Sequence, residues 1–363
     1  MRLAVEAAIV DGVLLKGDIE VLDGRIAGVG LAGPGEGIAV PGFVDLQVNG
    51  FAGVDFAAAD LAGYRTAGAA MLETGVTAFQ PTFISAGEAE LAASLAEVPD
   101  EPVGPRLLGV HLEGPFLSPE HAGVHPVECL HAPDLAMAER LLAAGPIRYV
   151  TLAPELAGAL ELIDLLQSRG IVVSLGHSGA TAAEADLAFD RGVGTVTHLF
   201  NAMGAFHHRA PGIVGAALSR DDVIVQAIID GHHLAHETAV VVWRAAAGRL
   251  ALVTDAMAAA AAGDGRYRLA GVEVDVRDGV ARGPAGELAG SVLTMLQAVR
   301  NLHALGASLT DAIAAATAVP ARAGRLSGVG VLTEGAPADV VVLDDRLEIR
   351  SVIVAGEAPA FSR

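Results

Sequence analysis

Eight short apolar segments, separated by stretches rich in alanine and leucine, constrain the fold of this sequence more than any other feature. They lie between residues 43 and 257 and read FVDLQVN, TAFQPTF, RLLGVHLEG, IRYVTLAPE, IVVSLGHS, TVTHLF, VIVQAIIDG and LALVTDAM. Apolar runs of this length predict buried strands, and their alternation with helices is typical of parallel sheets built from βα units. Residues 60–75, 154–170 and 181–192 indicate the helices most clearly. Eight such units predict an α/β fold with a (β/α)₈ barrel of the TIM type.

The two ends of the chain have a different pattern, which predicts a second and smaller structural unit. Asp11-Gly12 and Asp23-Gly24 are dipeptides that favour tight hairpin turns, so the first forty residues predict a small antiparallel sheet. Beyond the eighth run, residues 267–283 alternate like antiparallel strands. Two helices are predicted at 290–306 and 309–326, and strands return at 338–357.

We therefore predict that both termini build one small β-sandwich beside the barrel. Its amino-terminal part would be residues 1–42 and its carboxy-terminal part residues 329–363, with the catalytic barrel at 43–328.

Composition excludes several functional classes. A net charge of -20 repels a phosphate backbone, so we predict no nucleic-acid partner. No apolar run approaches the ~18 residues of a membrane span, and Glu6 and Asp11 interrupt any secretory leader. Because Cys129 is the single cysteine, neither an internal disulfide nor a cysteine-based zinc site is expected, and we predict a cytoplasmic protein. Lys16, the single lysine, reads as part of a surface strand, which argues against P-loop and Schiff-base chemistry.

Polar residues end several of the predicted barrel strands, where the active sites of such barrels lie. Glu113, His177 and His198 end the third, fifth and sixth runs, and Asp255 ends the eighth. A lone buried carboxylate is costly, so Glu113 is predicted to face a cation held jointly with the two histidines. One carboxylate and two imidazoles suit Zn²⁺ and also Fe²⁺. Taken singly, each histidine could be structural and Asp255 could cap a helix; beside a metal, Asp255 is the natural general base.

Six motifs in one order carry a resemblance that covers nearly the whole chain. HLEGPF, LGHSGAT, THLFNAM, IIDGHH, LVTDAM and LAGSVLTM follow one another between PGFVDLQVNG and GAPADVVVLD. Together they closely resemble the N-acetylglucosamine-6-phosphate deacetylase family of the amidohydrolase superfamily. The resemblance implies a (β/α)₈ barrel with a flanking β-sandwich, and metal-dependent removal of acetate from N-acetylglucosamine 6-phosphate.

The resemblance also implies roles for individual residues. It makes Glu113, His177 and His198 the metal ligands and Asp255 the catalytic aspartate. His233 would polarise the carbonyl oxygen of the substrate. The residues expected to contact substrate are His125 and His233 at the acetamido and sugar groups, Asn201, Ala202 and Arg209 at the phosphate, and Leu288 and Ser291 at the sugar or acyl group.

One departure from the wider superfamily bears on the metal count. Where many amidohydrolases carry His-x-His, this chain has Gln47-Val48-Asn49, and carboxamides are poor ligands for transition metals. We therefore expect one divalent metal, with Zn²⁺ favoured and Fe²⁺, Co²⁺ or Mn²⁺ as alternatives. Gln47, Asn49 and His111 are expected to lie behind the metal ligands and support them.

Alternative functions stay open at this point. A related hydrolase would act on N-acetylgalactosamine 6-phosphate or another N-acyl substrate, and a different class would be a non-catalytic assembly module with the same fold. A cyclic amidase is opposed by the missing His-x-His and the absent bridging lysine. We expect a homodimer that binds a sugar phosphate. Whether the loop 207–209 serves its own or a neighbouring subunit's site is open.

Overall fold

Two β-hairpins begin the chain in the computed structural model, which describes residues 1–358. The amino-terminal strands are β1 Ala7–Val10, β2 Val13–Lys16, β3 Asp18–Leu22, β4 Arg25–Leu31 and β5 Ile38–Pro41. Asp11 and Asp23 both have φ of 49°, and the glycine after each has φ of 75°. Two successive left-handed residues make the turn that matches the twist of a hairpin, which confirms both predicted turns.

The parallel barrel contains all eight predicted strands. The strands from residue 43 to residue 252 are β6 Phe43–Val48, β7 Gly50–Phe51, β8 Val54–Asp55, β9 Val76–Phe83, β10 Arg106–Leu107, β11 Val110–Glu113, β12 Ile147–Leu152, β13 Val172–Leu175, β14 Thr195–Val196, β15 Ile224–Ala227 and β16 Leu250–Leu252. The barrel runs β6-β9-β11-β12-β13-β14-β15-β16, while β7 and β8 form a small hairpin and β10 pairs with β9. The third apolar run is split because Gly109 has a left-handed φ of 85°.

Helices on the outside of the barrel follow most of its strands. They are α1 Leu61–Glu73, α2 Glu88–Ala96, α3 Leu135–Ala144, α4 Ala159–Ser168, α5 Ala182–Asp190, α6 Gly212–Ser219 and α7 His236–Ala245. Asp60, Asp134 and Thr181 begin α1, α3 and α5 by accepting backbone N–H groups of the first turn. Within residues 1–358, no helix has the length and apolar character needed to cross a membrane.

A three-stranded antiparallel sheet and three helices follow the barrel strands. They are β17 Gly265–Leu269, β18 Val272–Arg277, β19 Val280–Arg282, α8 Met295–Ala304, α9 Leu309–Ala316 and α10 Ala318–Ala323. The prediction of one helix over 309–326 is wrong, because the chain breaks at Thr317 (φ −134°, ψ −86°). Pro320 explains the break, since its ring would clash with the carbonyl of Ala316 in a continuous helix.

The last two strands complete a β-sandwich with the first five. β20 Val340–Leu343 and β21 Ile349–Ile353 extend a five-stranded sheet in the order β2-β1-β5-β20-β21, and the β3-β4 hairpin forms the other layer. Ile19, Ile26 and Val340 are among the buried side chains between the layers. The expectation of a wholly antiparallel sheet is wrong at one pair, because β1 and β5 run parallel. The chain passes through the β3-β4 layer between them, so β5 can return in the direction of β1. The boundaries 1–42, 43–328 and 329–363 remain a prediction.

Candidate active site

The carboxyl ends of the barrel strands surround a cavity of about 260 Å³. Of the predicted site residues, those on its wall are Asn49, Glu113, His125, His177, His198, Asn201, Ala202, His233, Asp255 and Leu288. Gln47, His111, Arg209 and Ser291 are not on that wall. Residues from the first, third, fifth, sixth and eighth strands of the barrel therefore meet at one place.

The local backbone directs the key side chains into the cavity. Glu113 is the last residue of β11, whereas His177, His198 and Asp255 come just after their strands with φ of 47°, 27° and 49°. Residues other than glycine seldom adopt this left-handed region, and they do so mainly where the surrounding fold imposes it. Gly114, with φ of 86°, turns the chain away after Glu113; a Cβ there would lie 2.3 Å from Ser85 Oγ.

Three ligand atoms converge inside this cavity. Glu113 Oε1 lies 2.8 Å from His198 Nε2 and 3.3 Å from His177 Nε2, and the two Nε2 atoms are 3.1 Å apart. His177 Nδ1 donates to the carbonyl of His121 at 2.9 Å, which leaves a lone pair on its Nε2. Lone pairs on these atoms repel one another, and a divalent cation at the point where they converge would attract all three. The donor set therefore fits a metal ion.

His125 is a fourth residue at the same cluster. Glu113, His125 and His177 also offer ligand atoms within 4.8 Å of one another. However, the backbone N–H of Ser85 donates to His125 Nδ1 at 3.1 Å, so the neutral ring carries its proton on Nε2. That Nε2–H faces Glu113 Oε2 at 3.6 Å. This tautomer makes His125 a hydrogen-bond donor, and we favour His198 as the third metal ligand.

The charges of the cluster follow from burial and hydrogen bonding. Burial opposes ionisation of Glu113, but the imidazoles of His125, His177 and His198 beside it outweigh burial and hold its pKa well below the usual range. Burial alone would lower the pKa of His198, yet its hydrogen bond to Glu113 raises that pKa. Burial lowers the pKa of His125 to about 4, so this ring is neutral near pH 7.

Asp255 lies beside the cluster with one oxygen free. Asn49 Nδ2 donates to Asp255 Oδ1 at 2.7 Å, and Oδ2 has no hydrogen bond to any other residue in 1–358. Burial and the negative charge of Glu113 raise the pKa of Asp255 to about 6. Gln47 Nε2 donates to Glu113 Oε1 at 3.0 Å. The two carboxamides thus each hold one carboxylate of the site.

Asp45 is a site-supporting residue that sequence reasoning missed. Its Oδ2 accepts the hydroxyl of Thr254 at 2.6 Å, and its Oδ1 accepts the backbone N–H groups of Thr254 and Gln47, both at 3.3 Å. Burial raises the pKa of Asp45 to about 7, and the nearby charge of Asp255 adds to the effect. The carboxyl group joins β6 to the residue that precedes Asp255. A buried aspartate within the run FVDLQVN was the only signal in the sequence.

Two more supporting residues were missed because their partners are recognisable only in the fold. Ser85 fixes the tautomer of His125, as described above. Asp230 orients His233, since its Oδ2 lies 2.7 Å from His233 Nδ1. Burial opposes ionisation of Asp230, but hydrogen bonds from His233 outweigh it and lower the pKa of this carboxyl group. With Nδ1–H donating to Asp230, His233 has a proton on Nε2 only when the ring is charged.

The remaining predicted residues lie off the cavity wall. Ser291 is buried with its hydroxyl donating to the carbonyl of Thr254 at 2.6 Å. His111 lies deeper in the barrel, 2.7 Å from Thr151 Oγ1 and 3.2 Å from the carbonyl of Leu46. Arg209 is exposed, and its Nη1 lies 2.8 Å from His208 Nε2. Among the described residues that line the cavity, none is an arginine or a lysine.

Comparison with known proteins extends over almost the whole chain. The amidohydrolase family pattern matches residues 38–358. Human N-acetylglucosamine-6-phosphate deacetylase is 41% identical over 340 residues, covering 88% of this chain and 83% of that protein. N-acetylgalactosamine-6-phosphate deacetylase of Escherichia coli O157:H7 is 37% identical over 331 residues, covering 88% and 87%. A mutant of the Mycobacterium smegmatis N-acetyl-D-glucosamine-6-phosphate deacetylase, solved with N-acetyl-D-glucosamine-6-phosphate, is 35% identical with a TM-score of 0.94, covering 99% and 98%.

Proposed function

This chain belongs to the amidohydrolase family, and from that premise we propose that it hydrolyses N-acetylglucosamine 6-phosphate to glucosamine 6-phosphate and acetate. The observation that carries the proposal is the convergence of Glu113, His177 and His198 beside a free Asp255 oxygen in one cavity. A protein of 35% identity with nearly the same fold was solved with that sugar phosphate. A non-catalytic assembly module would have no need of this arrangement.

Glu113, His177 and His198 would hold one divalent metal, for which we propose Zn²⁺. When bound, such an ion supplies Lewis-acid polarisation and lowers the pKa of water. Gln47 and Asn49 occupy the positions at which many amidohydrolases carry ligands for a second metal. Both side chains donate hydrogen bonds to carboxylates. Amide oxygens, the atoms through which these side chains could bind a metal, are poor ligands for transition metals, so we propose one metal rather than two.

Asp255 moves the proton in the proposed mechanism. Its free Oδ2 accepts a proton from water as the water oxygen bonds to the carbonyl carbon of the acetamido group. The same proton then passes from Asp255 to the sugar nitrogen as the carbon–nitrogen bond breaks, giving a free amine and acetate. Asn49 holds the carboxyl group through Oδ1, so Oδ2 keeps its position throughout.

Two imidazoles supply hydrogen-bond donors to the developing oxyanion. His233, the candidate indicated by the sequence, is oriented by Asp230, which accepts its Nδ1–H, and it would donate through Nε2 when both ring nitrogens carry a proton. His125 donates through Nε2 in its neutral form, because Ser85 holds its Nδ1 as an acceptor. We propose that His125 and His233 together donate hydrogen bonds to the carbonyl oxygen of the substrate. Leu288 and Asn201, which lie on the surrounding wall, would contact the sugar.

The catalytic cavity of a single chain, within its described residues, lacks an arginine or lysine side chain to bind the phosphate of the substrate. Its wall, as far as residues 1–358 form it, offers no guanidinium, while Arg209 lies with His207 and His208 in an exposed loop. We propose that the protein is a homodimer in which this loop binds the phosphate in the partner's site, together with the Asn201-Ala202 turn of that site.

Ser291 would act through the backbone that holds Asp255. The single cysteine supports our proposal of a cytoplasmic location.

Acetate release from three substrates tests the function. We expect turnover of N-acetylglucosamine 6-phosphate, with weaker use of unphosphorylated N-acetylglucosamine. The galactosamine epimer must be included, because one relative of 37% identity is named for it. Higher kcat/KM on N-acetylgalactosamine 6-phosphate would reassign the substrate, and no acetate from any of the three would refute a deacetylase.

Mixing two impaired variants tests the shared site. Arg209→Ala should lower kcat/KM on the phosphorylated sugar by a factor that corresponds to ~2–4 kcal/mol of lost transition-state stabilisation. The kcat/KM on the unphosphorylated sugar should change little. Refolded or exchanged mixtures of Arg209→Ala and Asp255→Asn chains should regain about a quarter of wild-type activity, since half the dimers are mixed and each has one complete site. Mixtures that stay as impaired as their components would place Arg209 in its own subunit's site.

A further inference from the structure

A second large cavity lies at the end of the barrel opposite the catalytic site. Its volume is about 720 Å³, and the first residues of β13, β14 and β15 are on its wall. Because these strands are parallel, their first residues are at the far end from His177, His198 and Asp255. Four arginines line this cavity: Arg244, Arg249, Arg322 and Arg325.

The wall of this cavity is locally positive in an acidic protein. The chain has 23 basic against 43 acidic residues. Two carboxylates, Asp221 and Asp222, accompany the four guanidinium groups on the wall. Asp222 is already held by Arg220, with Nη2 and Oδ2 3.1 Å apart. Within residues 1–358, none of the four arginines forms an ion pair with a carboxylate.

The four arginines differ in how much hydrogen-bonding capacity they keep. Arg249 is 7% exposed, and its two Nη atoms donate to the carbonyls of Ala217, Leu218, Val223 and Ala245. It is therefore fixed in place and supplies positive charge to the cavity floor. Its burial lowers its pKa, as expected for a cation without a carboxylate partner.

The other three arginines are exposed and keep most of their N–H groups. Arg322 donates to the carbonyl of Gly248 at 2.6 Å, and Arg325 donates to that of Gly192 at 3.4 Å. Arg244 makes no side-chain hydrogen bond within the part of the chain that the structure describes. These arginines come from two separate segments, so they can approach one ligand from two sides. Arg244 lies in α7, Arg322 lies in α10, and Arg325 follows the end of α10.

We propose that this cavity binds a small phosphate ester. Guanidinium groups bind phosphate oxygens through paired, charge-assisted hydrogen bonds, and the three exposed arginines have the donors free to do so. Sites for small molecules are typically about 300–1,000 Å³, so the volume suits a phosphorylated metabolite better than a single inorganic ion. The fixed charge of Arg249 favours an anion whichever contacts the three exposed arginines make. This site is separate from the catalytic cavity and does not depend on the deacetylase proposal.

Calorimetric titration of the intact protein with fructose 1,6-bisphosphate tests the proposal, with succinate as a carboxylate probe. The variant Arg244→Ala/Arg325→Ala should weaken binding of the bisphosphate by about tenfold or more. The matched control Arg148→Ala/Arg346→Ala removes two exposed arginines elsewhere that form no ion pair within residues 1–358, and it should change binding less than about twofold. Acetate release should be unchanged in both variants.

Four outcomes would overturn the assignment. Equal affinity in the wild type and in Arg244→Ala/Arg325→Ala would mean that these arginines do not bind the probe. Equal weakening in the control would mean that only the total charge matters. Succinate binding as tight as the bisphosphate would exclude a phosphate-specific site. A probe that inhibits acetate release competitively, with a titration unaltered by the arginine changes, would place it in the catalytic cavity.

Discussion

At the scale of single residues, a substitution at Asp255 can test proton transfer without changing the size of the side chain. Asp255→Asn keeps the shape of the side chain but removes the ability to accept a proton. We expect metal and substrate binding to persist while kcat falls by a factor of ~10² or more. Turnover assays and calorimetry with the substrate check the two halves of this prediction. If the variant turns over near the wild-type rate, another residue is the base; if it loses its metal, Asp255 is chiefly a ligand.

The hydrogen bond from Asn49 gives a pH-dependent prediction. A general base works only when ionised, so kcat should fall as the pH drops through the pKa of Asp255; burial and Glu113 raise that pKa to about 6 in the metal-free site, and a bound cation beside Glu113 would lower it. Asn49 stabilises the ionised form, and Asn49→Ala should therefore move this acid limb to higher pH. The pH–rate profiles of both proteins, each loaded with metal, measure the shift. An unchanged or lower midpoint in the variant would contradict the assigned contact.

Metal content distinguishes the two possible ligand sets. His198→Ala removes a lone pair that faces the convergence point, and we expect it to lose its tightly bound metal, as should His177→Ala. His125→Ala removes a donor and should retain about one metal per chain while kcat decreases. Elemental analysis after dialysis makes the comparison. Metal lost from His125→Ala but kept by His198→Ala would exchange the two roles.

At the scale of secondary-structure elements, Asp45 links the first and eighth strands of the barrel. β6 and β16 share no continuous ladder in the described chain, and a single bridge pairs Val48 with Ala256. Asp45→Ala would leave the hydroxyl of Thr254 and two backbone N–H groups without their acceptor. We expect about 2–4 kcal/mol less stability, and a fall in kcat with little change in KM because Thr254 precedes Asp255.

A matched control separates positioning from general destabilisation. Asp18 is also a buried carboxylate; it accepts the N–H groups of Val5 and Ile19 and pairs with Arg2, but it lies in the sandwich. Asp18→Ala should lower stability in denaturant unfolding and leave kcat unchanged well below the melting temperature. A similar loss of kcat in both variants would show that Asp45 has no positioning role.

The elements also show how far sequence reasoning reaches. Apolar runs located all eight barrel strands, because burial on both faces leaves a local mark in the sequence. The Asp-Gly pairs located both hairpins, since turn chemistry is equally local. The break at Thr317 was missed although Pro320 was visible, because the apolar pattern continues across it. The Asp45–Thr254 and Ser85–His125 contacts join residues far apart in sequence, and no local pattern encodes them.

At the scale of the whole molecule, charge is distributed unevenly in a way that composition conceals. A chain of net charge -20 should repel a sugar phosphate, yet the exposed His207-His208-Arg209 loop and the arginine-lined cavity are local exceptions. One arginine in the loop and four in the cavity lie where a phosphate is proposed to bind. The catalytic cavity itself carries carboxylates and imidazoles, as metal binding and proton transfer require. The two proposed phosphate sites thus differ in chemistry from the catalytic cavity.

Acetate release from N-acetylglucosamine 6-phosphate, measured before chelation, after chelation and after metal is restored, tests whether the protein is a metal-dependent deacetylase. We expect activity to disappear with the metal and to return when about one equivalent of Zn²⁺ per chain is added back. The His177→Ala variant, treated in the same way, should not recover. Undiminished acetate release from protein shown to be free of metal would contradict a metal-dependent deacetylase built on Glu113, His177 and His198.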